Sequence, residues 1–146
     1  MNNKYKEIQA ADIQEAADRI RPYITRTPLV YSPALSEQTG AEIYLKLENL
    51  QAIGAFKVRG AANKILTLTD EQKKIGVSTF STGNHGMAVA HIASKLDIPA
   101  TVCMSSHVPA VKVKNIRRWG PTILQNWESQ DDAGVYCYEL QEKEGV

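Results

Sequence analysis

The stretch that decides the fold is residues 77–86, which read Val-Ser-Thr-Phe-Ser-Thr-Gly-Asn-His-Gly. Its first half predicts a short strand, and its polar second half leads into a helix with apolar side chains at helical spacing. From residue 77 onward the pattern alternates in the order β-α-β-α-β-α, which favours an α/β fold with a parallel, doubly wound sheet. Ligands of such sheets bind at the carboxyl ends of strands, so we expect chemistry first in the loop at 81–85.

The secondary structure predicted around this stretch follows the same alternation. Capping residues, prolines and the spacing of apolar side chains mark the ends of each element. In the first half we predict a helix that Asp12 caps and Pro22 ends, an extended piece at 27–30, a strand at 42–48, a helix from about Lys57 and a short helix between Thr69 and Gly76. In the second half we predict the strand at 77–81, a helix through Leu96, a strand at 100–104 and a helix between Pro109 and Gly120. A strand at 122–124 and a helix between Ser129 and Gly145 complete the prediction.

Length and composition describe a globular chain. Its 146 residues fit about one domain on the usual range of roughly 100–200. Hydrophobic residues make up 43%, which is enough for a core and too much for a disordered tail. The net charge of +1 argues against a nucleic acid or an anionic membrane as the partner. No apolar run approaches the roughly 18 residues of a membrane span.

Cysteine usage and the N-terminal residues bear on the compartment. Cys103 and Cys137 are the only cysteines and lack CxxC spacing, which excludes a disulfide scaffold or a zinc cluster and favours a reducing environment. Residues 1–7 carry no apolar stretch behind their lysines, unlike a secretory signal. We therefore expect a cytoplasmic protein.

The polar loop has the residue types of an anion site. Backbone N–H groups at a helix start, with hydroxyls such as those of Ser81 and Thr82 beside them, bind carboxylates or phosphates. Gly83 and Gly86 permit a close approach of the backbone. The same residues also fit an ordinary helix cap and turn, so the loop alone leaves both interpretations open.

Lys57 is the candidate nucleophile. It follows Phe56 and lies near a predicted helix start, where desolvation and the positive end of the helix dipole disfavour a charged amine. An uncharged lysine amine attacks carbonyl carbons and forms a Schiff base. The alternative is a solvated lysine on a helix surface, and the position of Lys57 beside an aromatic residue does not decide between the two.

Two segments together carry a family resemblance. Residues 54–61 read Gly-Ala-Phe-Lys-Val-Arg-Gly-Ala, and about 25 residues later residues 81–86 read Ser-Thr-Gly-Asn-His-Gly. The pair resembles the signature of the fold-type II pyridoxal-phosphate enzymes and is most similar to the threonine/serine dehydratase and serine racemase branch. Two earlier segments also occur in the order typical of that branch: Arg-Thr-Pro-Leu at 26–29 and Leu-Lys-Leu-Glu-Asn-Leu-Gln at 45–51. The second segment also resembles dehydratases of hydroxyectoine breakdown.

The resemblance implies a role for each site residue. Lys57 would hold pyridoxal phosphate as a Schiff base and act as the base at the substrate Cα, with Phe56 packed beside the cofactor. Asn84 would hydrogen-bond the phenolic oxygen of the pyridine ring. Thr82 would take the place of the acid/base group on the opposite face. The loop that would clasp the substrate carboxylate consists of Ser81, Thr82, Gly83 and His85.

The reaction implied by the resemblance is the deamination of a small hydroxy amino acid, such as threonine or serine. The cofactor acts as an electron sink while the protein orients the Cα–H bond. Elimination of the β-hydroxyl and hydrolysis of the product then give a keto acid and ammonia. The chain would thus be a lyase of amino-acid metabolism, with a small-molecule substrate and no nucleic-acid or membrane partner.

Three positions, in two segments, depart from the family pattern. The family usually reads Thr-Gly-Ser-Phe-Lys where residues 53–57 read Ile-Gly-Ala-Phe-Lys, so two hydroxyls expected near the cofactor are missing. Thr82 stands where similar racemases have serine, and its methyl group stiffens χ1. We therefore rank amino-acid racemase activity below elimination. β-Replacement, as in cysteine synthases, is disfavoured because those enzymes usually carry Thr-Ser-Gly-Asn-Thr-Gly, without a counterpart of His85.

Parts of the family pattern are missing from these 146 residues. The glycine-rich phosphate loop and the divalent-cation ligands of racemase-like members lie downstream in the family, and the sequence contains neither. We therefore expect an incomplete fold of the tryptophan synthase β type, with residues 1–75 as the first part of the large domain and residues 76–146 as a nearly complete small domain.

We also expect the chain to be a truncated product that binds pyridoxal phosphate poorly and is weakly active or inactive. The alternative is a non-catalytic or regulatory fragment of such an enzyme. Apolar faces left without their usual cover favour self-association into a homodimer or higher oligomer.

The remaining chemically active side chains are predicted to be structural. His91 and His107 are expected to be solvated or capping, and they share no metal-ligand spacing with His85. Cys103, in an apolar strand, is expected to be a packing residue. The basic residues at 112–118 are expected to form a solvated helix face.

Overall fold

In the computed structural model of this protein, the structure describes residues 7–146, so most of the N-terminal segment discussed above lies outside the described residues. Over this range the chain forms seven α-helices and five strands. The helices are α1 (Ala10–Ile20), α2 (Pro33–Thr39), α3 (Lys57–Leu66), α4 (Asp70–Ile75), α5 (Asn84–Lys95), α6 (Ala110–Arg117) and α7 (Gln130–Glu144). The strands are β1 (Leu29–Tyr31), β2 (Tyr44–Lys46), β3 (Val77–Thr79), β4 (Ala100–Ser105) and β5 (Thr122–Trp127).

A parallel sheet of three strands, in the order β3-β4-β5, forms the centre of the second half of the chain. Side chains alternate along a strand, so successive residues of β4 point to opposite faces. Val102 and Met104 pack against α5 and α6, whereas Cys103 packs against α7. Helices thus cover both faces, which confirms the α/β class and the parallel sheet predicted from the alternation.

The first half contains a second, antiparallel pair of strands. Val30 of β1 lies opposite Leu45 of β2, and all six residues of the two strands are exposed. The sequence predicted two extended segments but not their pairing. It also missed α2, although Pro33 at its start and Gly40 at its end, with φ +71°, are typical helix boundaries.

The cap predicted for α1 is wrong by three residues. Gln9 is the N-cap, and Asp12 is the third residue of the helix. The Asp12 carboxylate accepts a hydrogen bond from the Gln9 N–H at 2.9 Å, so it serves as the reciprocal partner of a capping box. Ile13 is 64% exposed, and Ile20 is the buried residue of this helix.

Helices α3 and α5 pack directly against each other. Their contact uses small side chains, including Ala61 and Ala62 of α3 and Ala88 of α5, which allow a close approach of the two helices. Ile20 and Val77 belong to the same apolar cluster, so one core runs across the boundary predicted between residues 75 and 76. The division into a large-domain part and a small domain stays a prediction.

The expectation that His91 is solvated is wrong. Its side chain is 3% exposed and contacts Trp119, with ring centroids 4.2 Å apart. Tight packing between α5 and the end of α6 encloses it. His107 is exposed as expected and pairs with Glu128 at 2.8 Å, and Cys103 is fully buried as a packing residue.

Within residues 7–146 no helix has the length and hydrophobicity to cross a bilayer.

Candidate functional site

Lys57 is the first residue of α3, where the sequence predicted a helix start. Its side chain is exposed, and Nζ lies 5.2 Å from the centroid of the Phe56 ring, which is itself 58% exposed. Within the described part of the chain, Nζ makes no ion pair and no hydrogen bond. An amine in this position is free to react with a carbonyl group.

Two residues just before Lys57 have buried side chains, and their burial holds Lys57 at the surface. Ile53 is 5% exposed and Ala55 is 8% exposed, and both belong to the core shared by α3 and α5. Gly54 between them has φ +71°, a left-handed conformation that favours glycine. The two family hydroxyls that the sequence lacks would therefore stand at buried positions here, where apolar side chains contribute to packing.

A buried polar network fixes the start of α3. Glu48 accepts hydrogen bonds from Arg59 of α3 and from the Thr27 hydroxyl, the latter at 2.6 Å. Gln51 donates to Thr25 O at 2.8 Å and accepts from Thr25 N–H at 3.0 Å. The hydrogen bonds from Arg59 hold the pKa of Glu48 at about 2, so the carboxylate is ionised at neutral pH.

Sequence reasoning did not single out Glu48 and Arg59, which position the helix that carries Lys57. A signal for them was present. The two residues carry opposite charges and lie in the two quoted segments, 45–51 and 54–61, on either side of the lysine. Their pairing depends on how the chain turns between residues 51 and 56, which the sequence pattern does not define.

The loop at 80–83 joins β3 to α5 through a tight backbone contact. A Cβ built on Gly86 would lie 2.3 Å from the carbonyl oxygen of Ser81, so a side chain cannot fit there without movement of the loop. The Gly83 N–H donates to Ser81 Oγ at 3.4 Å. Asn84 is the first residue of α5, and the first N–H groups of a helix have no partner within it. They are available as donors to an anion.

The structure brings Lys57 and His85 to the same end of the α3–α5 pair. Partial burial, and after it the positive charge of Lys57, lowers the pKa of His85. The two signature segments, separate in the sequence, therefore lie close enough for the charge of Lys57 to act on His85. Within the described residues no hydrogen bond connects Lys57 to Thr82, which lies in the loop, or to Asn84, the first residue of α5.

A cavity of about 380 Å³ lies behind this loop, between α3, β3, α5 and α7. His85 forms part of its wall, and so do Ser78, Cys137 and Tyr138. Lys57 does not line it. Across residues 7–146, no three His, Cys, Asp or Glu side chains are grouped so that they could hold a metal ion.

A parallel α/β sheet, a lysine at a helix start and a hydroxyl- and glycine-rich loop beside it define the class of protein. The comparison with known families agrees, because residues 20–146 match the family described as pyridoxal-phosphate dependent enzyme. The chain belongs to this family of enzymes.

Individual relatives narrow the comparison. The chain is 44% identical over 139 residues to the L-threonine ammonia-lyase of Thermotoga maritima, covering 95% of this chain and 35% of that protein. It is 40% identical to the catabolic L-threonine dehydratase of Staphylococcus aureus, covering 95% of this chain and 40% of that protein. The chain thus spans less than half the length of these curated relatives.

Solved structures give the same result for the fold. Maize serine racemase superposes with a TM-score of 0.86 at 40% identity, over 92% of this chain and 41% of that one. The processed form of threonine deaminase isoform 2 from Solanum lycopersicum superposes with a TM-score of 0.85 at 29% identity, over 99% of this chain and 41% of that one. These results confirm the fold-type II resemblance and its incomplete extent in this chain.

Proposed function

We propose that this chain is the N-terminal part of a pyridoxal-phosphate-dependent ammonia-lyase that deaminates a small hydroxy amino acid. One observation carries the proposal: the unpartnered amine of Lys57 lies at the same end of a helix pair as a loop with free anion-binding donors. The relatives described as L-threonine ammonia-lyase and L-threonine dehydratase support threonine or serine as the substrate class.

The residues present fit the cofactor. Lys57 would hold its aldehyde carbon through Nζ, because this amine is exposed and has no competing acidic partner in the described chain. The exposed Phe56 ring would flank it, and Asn84, exposed at the start of α5, would hydrogen-bond the phenolic oxygen. When bound, the group withdraws electrons from the substrate Cα and so acidifies its proton.

The chain's own residues would bind the substrate and move its protons. The N–H groups at the start of α5, together with Ser81 and Gly83, would bind the carboxylate and fix the direction of the Cα–H bond. Lys57 Nζ would take the Cα proton, and the Thr82 hydroxyl is proposed as the proton-handling group of the opposite face. The lowered pKa of His85 keeps its ring neutral at pH 7, so it adds no second positive charge beside Lys57.

Racemisation is the second candidate function, because maize serine racemase is similar in both sequence and structure. Thr82 discriminates between the two functions, since a racemase must return a proton from the face opposite Lys57.

We propose the same domain arrangement as the one predicted from the sequence. Residues 1–75 would form part of a large domain and residues 76–146 a small domain, and the assembly would be a homodimer or higher oligomer.

The proposal is tested by covalent capture. The chain is incubated with pyridoxal phosphate, reduced with borohydride and digested, and the modified peptide is identified by mass spectrometry. We expect the added mass on the peptide that contains Lys57, and its loss in Lys57→Ala. Lys64→Ala is the matched control, because Lys64 is an exposed lysine on the same helix. Labelling that survives in Lys57→Ala, or that is absent from the unaltered chain, would overturn the assignment.

The reaction itself is tested with L-threonine and L-serine by measuring keto-acid release and the appearance of the D-enantiomer. Keto acid without D-enantiomer supports the lyase. D-enantiomer without keto acid supports the racemase instead. Capture on Lys57 with neither product assigns a non-catalytic role to the isolated chain and contradicts turnover by these residues alone.

A further inference from the structure

Cys103 and Cys137 lie face to face between the sheet and α7. Cys103 is on the face of β4 opposite Val102 and Met104, and it belongs to one buried apolar cluster with Cys137 of α7. The Gln130 side chain ties the start of α7 to β4 by donating to Cys103 O and accepting from Ser105 N–H, each at 3.4 Å. These hydrogen bonds fix the position of α7 relative to β4, the strand that carries Cys103.

Ser78 holds the Cys137 thiol from the neighbouring strand. Ser78 pairs with Thr101 of β4 in the sheet. Cys103 lies two residues after Thr101, so Ser78 and Cys103 are on the same face of the sheet. The Cys137 thiol contacts Ser78 Oγ at 3.3 Å. Interaction with the nearby Cys103 thiol first, and with the Ser78 hydroxyl as well, lowers the pKa of Cys137 to about 6, while the interaction with Cys137 and burial raise the pKa of Cys103.

The two thiols differ in access as well as in acidity. Cys103 is completely buried, whereas Cys137 is 6% exposed and lines the cavity of about 380 Å³ behind the loop. A molecule of the size of a peroxide fits in this cavity and reaches Cys137 first. The more acidic thiol is thus also the one that an oxidant can meet, with a second thiol directly behind it.

We propose that Cys137 is a peroxide-reactive modification site and that Cys103 is its resolving thiol, so that oxidation joins β4 to α7 by an intramolecular disulfide. The proposal does not depend on the function proposed above. It assigns a role to the two cysteines, which the deamination chemistry does not use.

The chemistry balances with hydrogen peroxide as the oxidant. The Cys137 thiolate attacks one peroxide oxygen, the O–O bond breaks, an S–O bond forms, and the leaving hydroxide takes a proton to give water. The Cys103 sulfur then attacks the oxidised sulfur, the S–S bond forms, the S–O bond breaks, and a second water leaves. The two thiols are oxidised by two electrons, and the peroxide is reduced.

The test uses the 146-residue chain treated with hydrogen peroxide and then denatured. Because the chain has only these two cysteines, thiol titration counts both directly. We expect both thiols to be lost together, with a mass decrease of about 2 Da on a monomer that dithiothreitol reverses. Disulfide-linked dimers, or single-thiol oxidation without loss of the second, would overturn the proposal.

Variants separate the two roles without relying on the disulfide itself. Cys103→Ser is expected to stop the reaction at a sulfenic acid on Cys137, which dimedone traps, whereas Cys137→Ser should leave Cys103 unreacted. Ser78→Ala is expected to slow thiol loss several-fold, because it removes a hydrogen bond to the attacking sulfur. Ser106→Ala, at an exposed serine directly after β4, is the matched control. Equal rates in these two serine variants would contradict the role of Ser78.

Discussion

Arg59 donates two hydrogen bonds to the Glu48 carboxylate, from Nε to Oε2 at 2.8 Å and from Nη2 to Oε1 at 2.7 Å. Both side chains are largely enclosed, with 33% and 19% of their surface exposed. The pair links the segment before Lys57 to the helix that begins with it. The position of the Lys57 amine therefore depends on a contact between two residues outside the candidate site.

Glu48→Gln is expected to lower the free energy of unfolding by about 1–2 kcal/mol near neutral pH, since Arg59 loses its charged partner. The folded pKa of Glu48, about 2, lies below its ordinary value of 4.5, so the pair stabilises the fold above pH 4.5 and loses this effect as the pH falls toward 2. Urea denaturation at several pH values should show a flatter acid limb in the variant. An unchanged limb would contradict the assignment, and Glu37→Gln, at an exposed position, is the control.

Gly86→Ala is expected to cost about 2 kcal/mol of stability, because the new Cβ would lie 2.3 Å from the backbone oxygen of Ser81. The chain must shift the loop or the start of α5 to relieve the clash. Gly60→Ala is the matched control, since a Cβ at that helix position meets no atom within 4 Å. It should leave stability equal or raise it by about 0.5–1 kcal/mol. Thermal denaturation of both variants measures the difference, and equal melting temperatures would refute the clash.

His91→Phe is expected to raise the free energy of unfolding by about 1 kcal/mol at pH 7, because both ring nitrogens of His91 are buried without a partner among the described residues. Burial first, and the charges of Lys95 and Arg118 after it, lowers the pKa of His91 below its ordinary value of 6.5.

For a histidine whose folded pKa is lowered, the unfolded state binds protons more tightly, so stability falls as the pH drops below 6.5. The gain in the Phe variant should therefore grow between pH 7 and about pH 5. A constant difference between His91→Phe and the unaltered chain across this range would contradict the prediction.

Many helix boundaries could be predicted from the sequence because their signals are local. Thr69 caps α4 where its capping box predicted the helix start, Ser129 caps α7 as expected, and α3 begins at Lys57 as expected. Strand ends were less accurate, since β5 extends to Trp127 instead of ending at residue 124. Pairing with β4 adds those residues, and pairing is not visible in a single segment.

Long-range contacts account for the features that the sequence did not predict. His91 looked like a surface residue by its type, and its burial depends on Trp119, which follows α6. The shared location of Lys57 and His85 depends on the packing of α3 against α5 through alanines. The sequence pattern singled out Lys57 and the loop at 81–86, whereas the role of each site residue came from the resemblance and stays a prediction.

Helix α5 is enclosed on nearly every side, with a continuous run of buried residues from Ala88 to Ala93. Such a helix gives up its backbone hydrogen bonds only when the whole domain opens. The N–H groups at its N-terminus therefore belong to a deeply enclosed helix, whereas Phe56 and Lys57 are exposed. In the site proposed above, adjustment to ligands of different size would come from the lysine side or from the backbone of residues 80–83, and the carboxylate end of a substrate would be the fixed point of recognition.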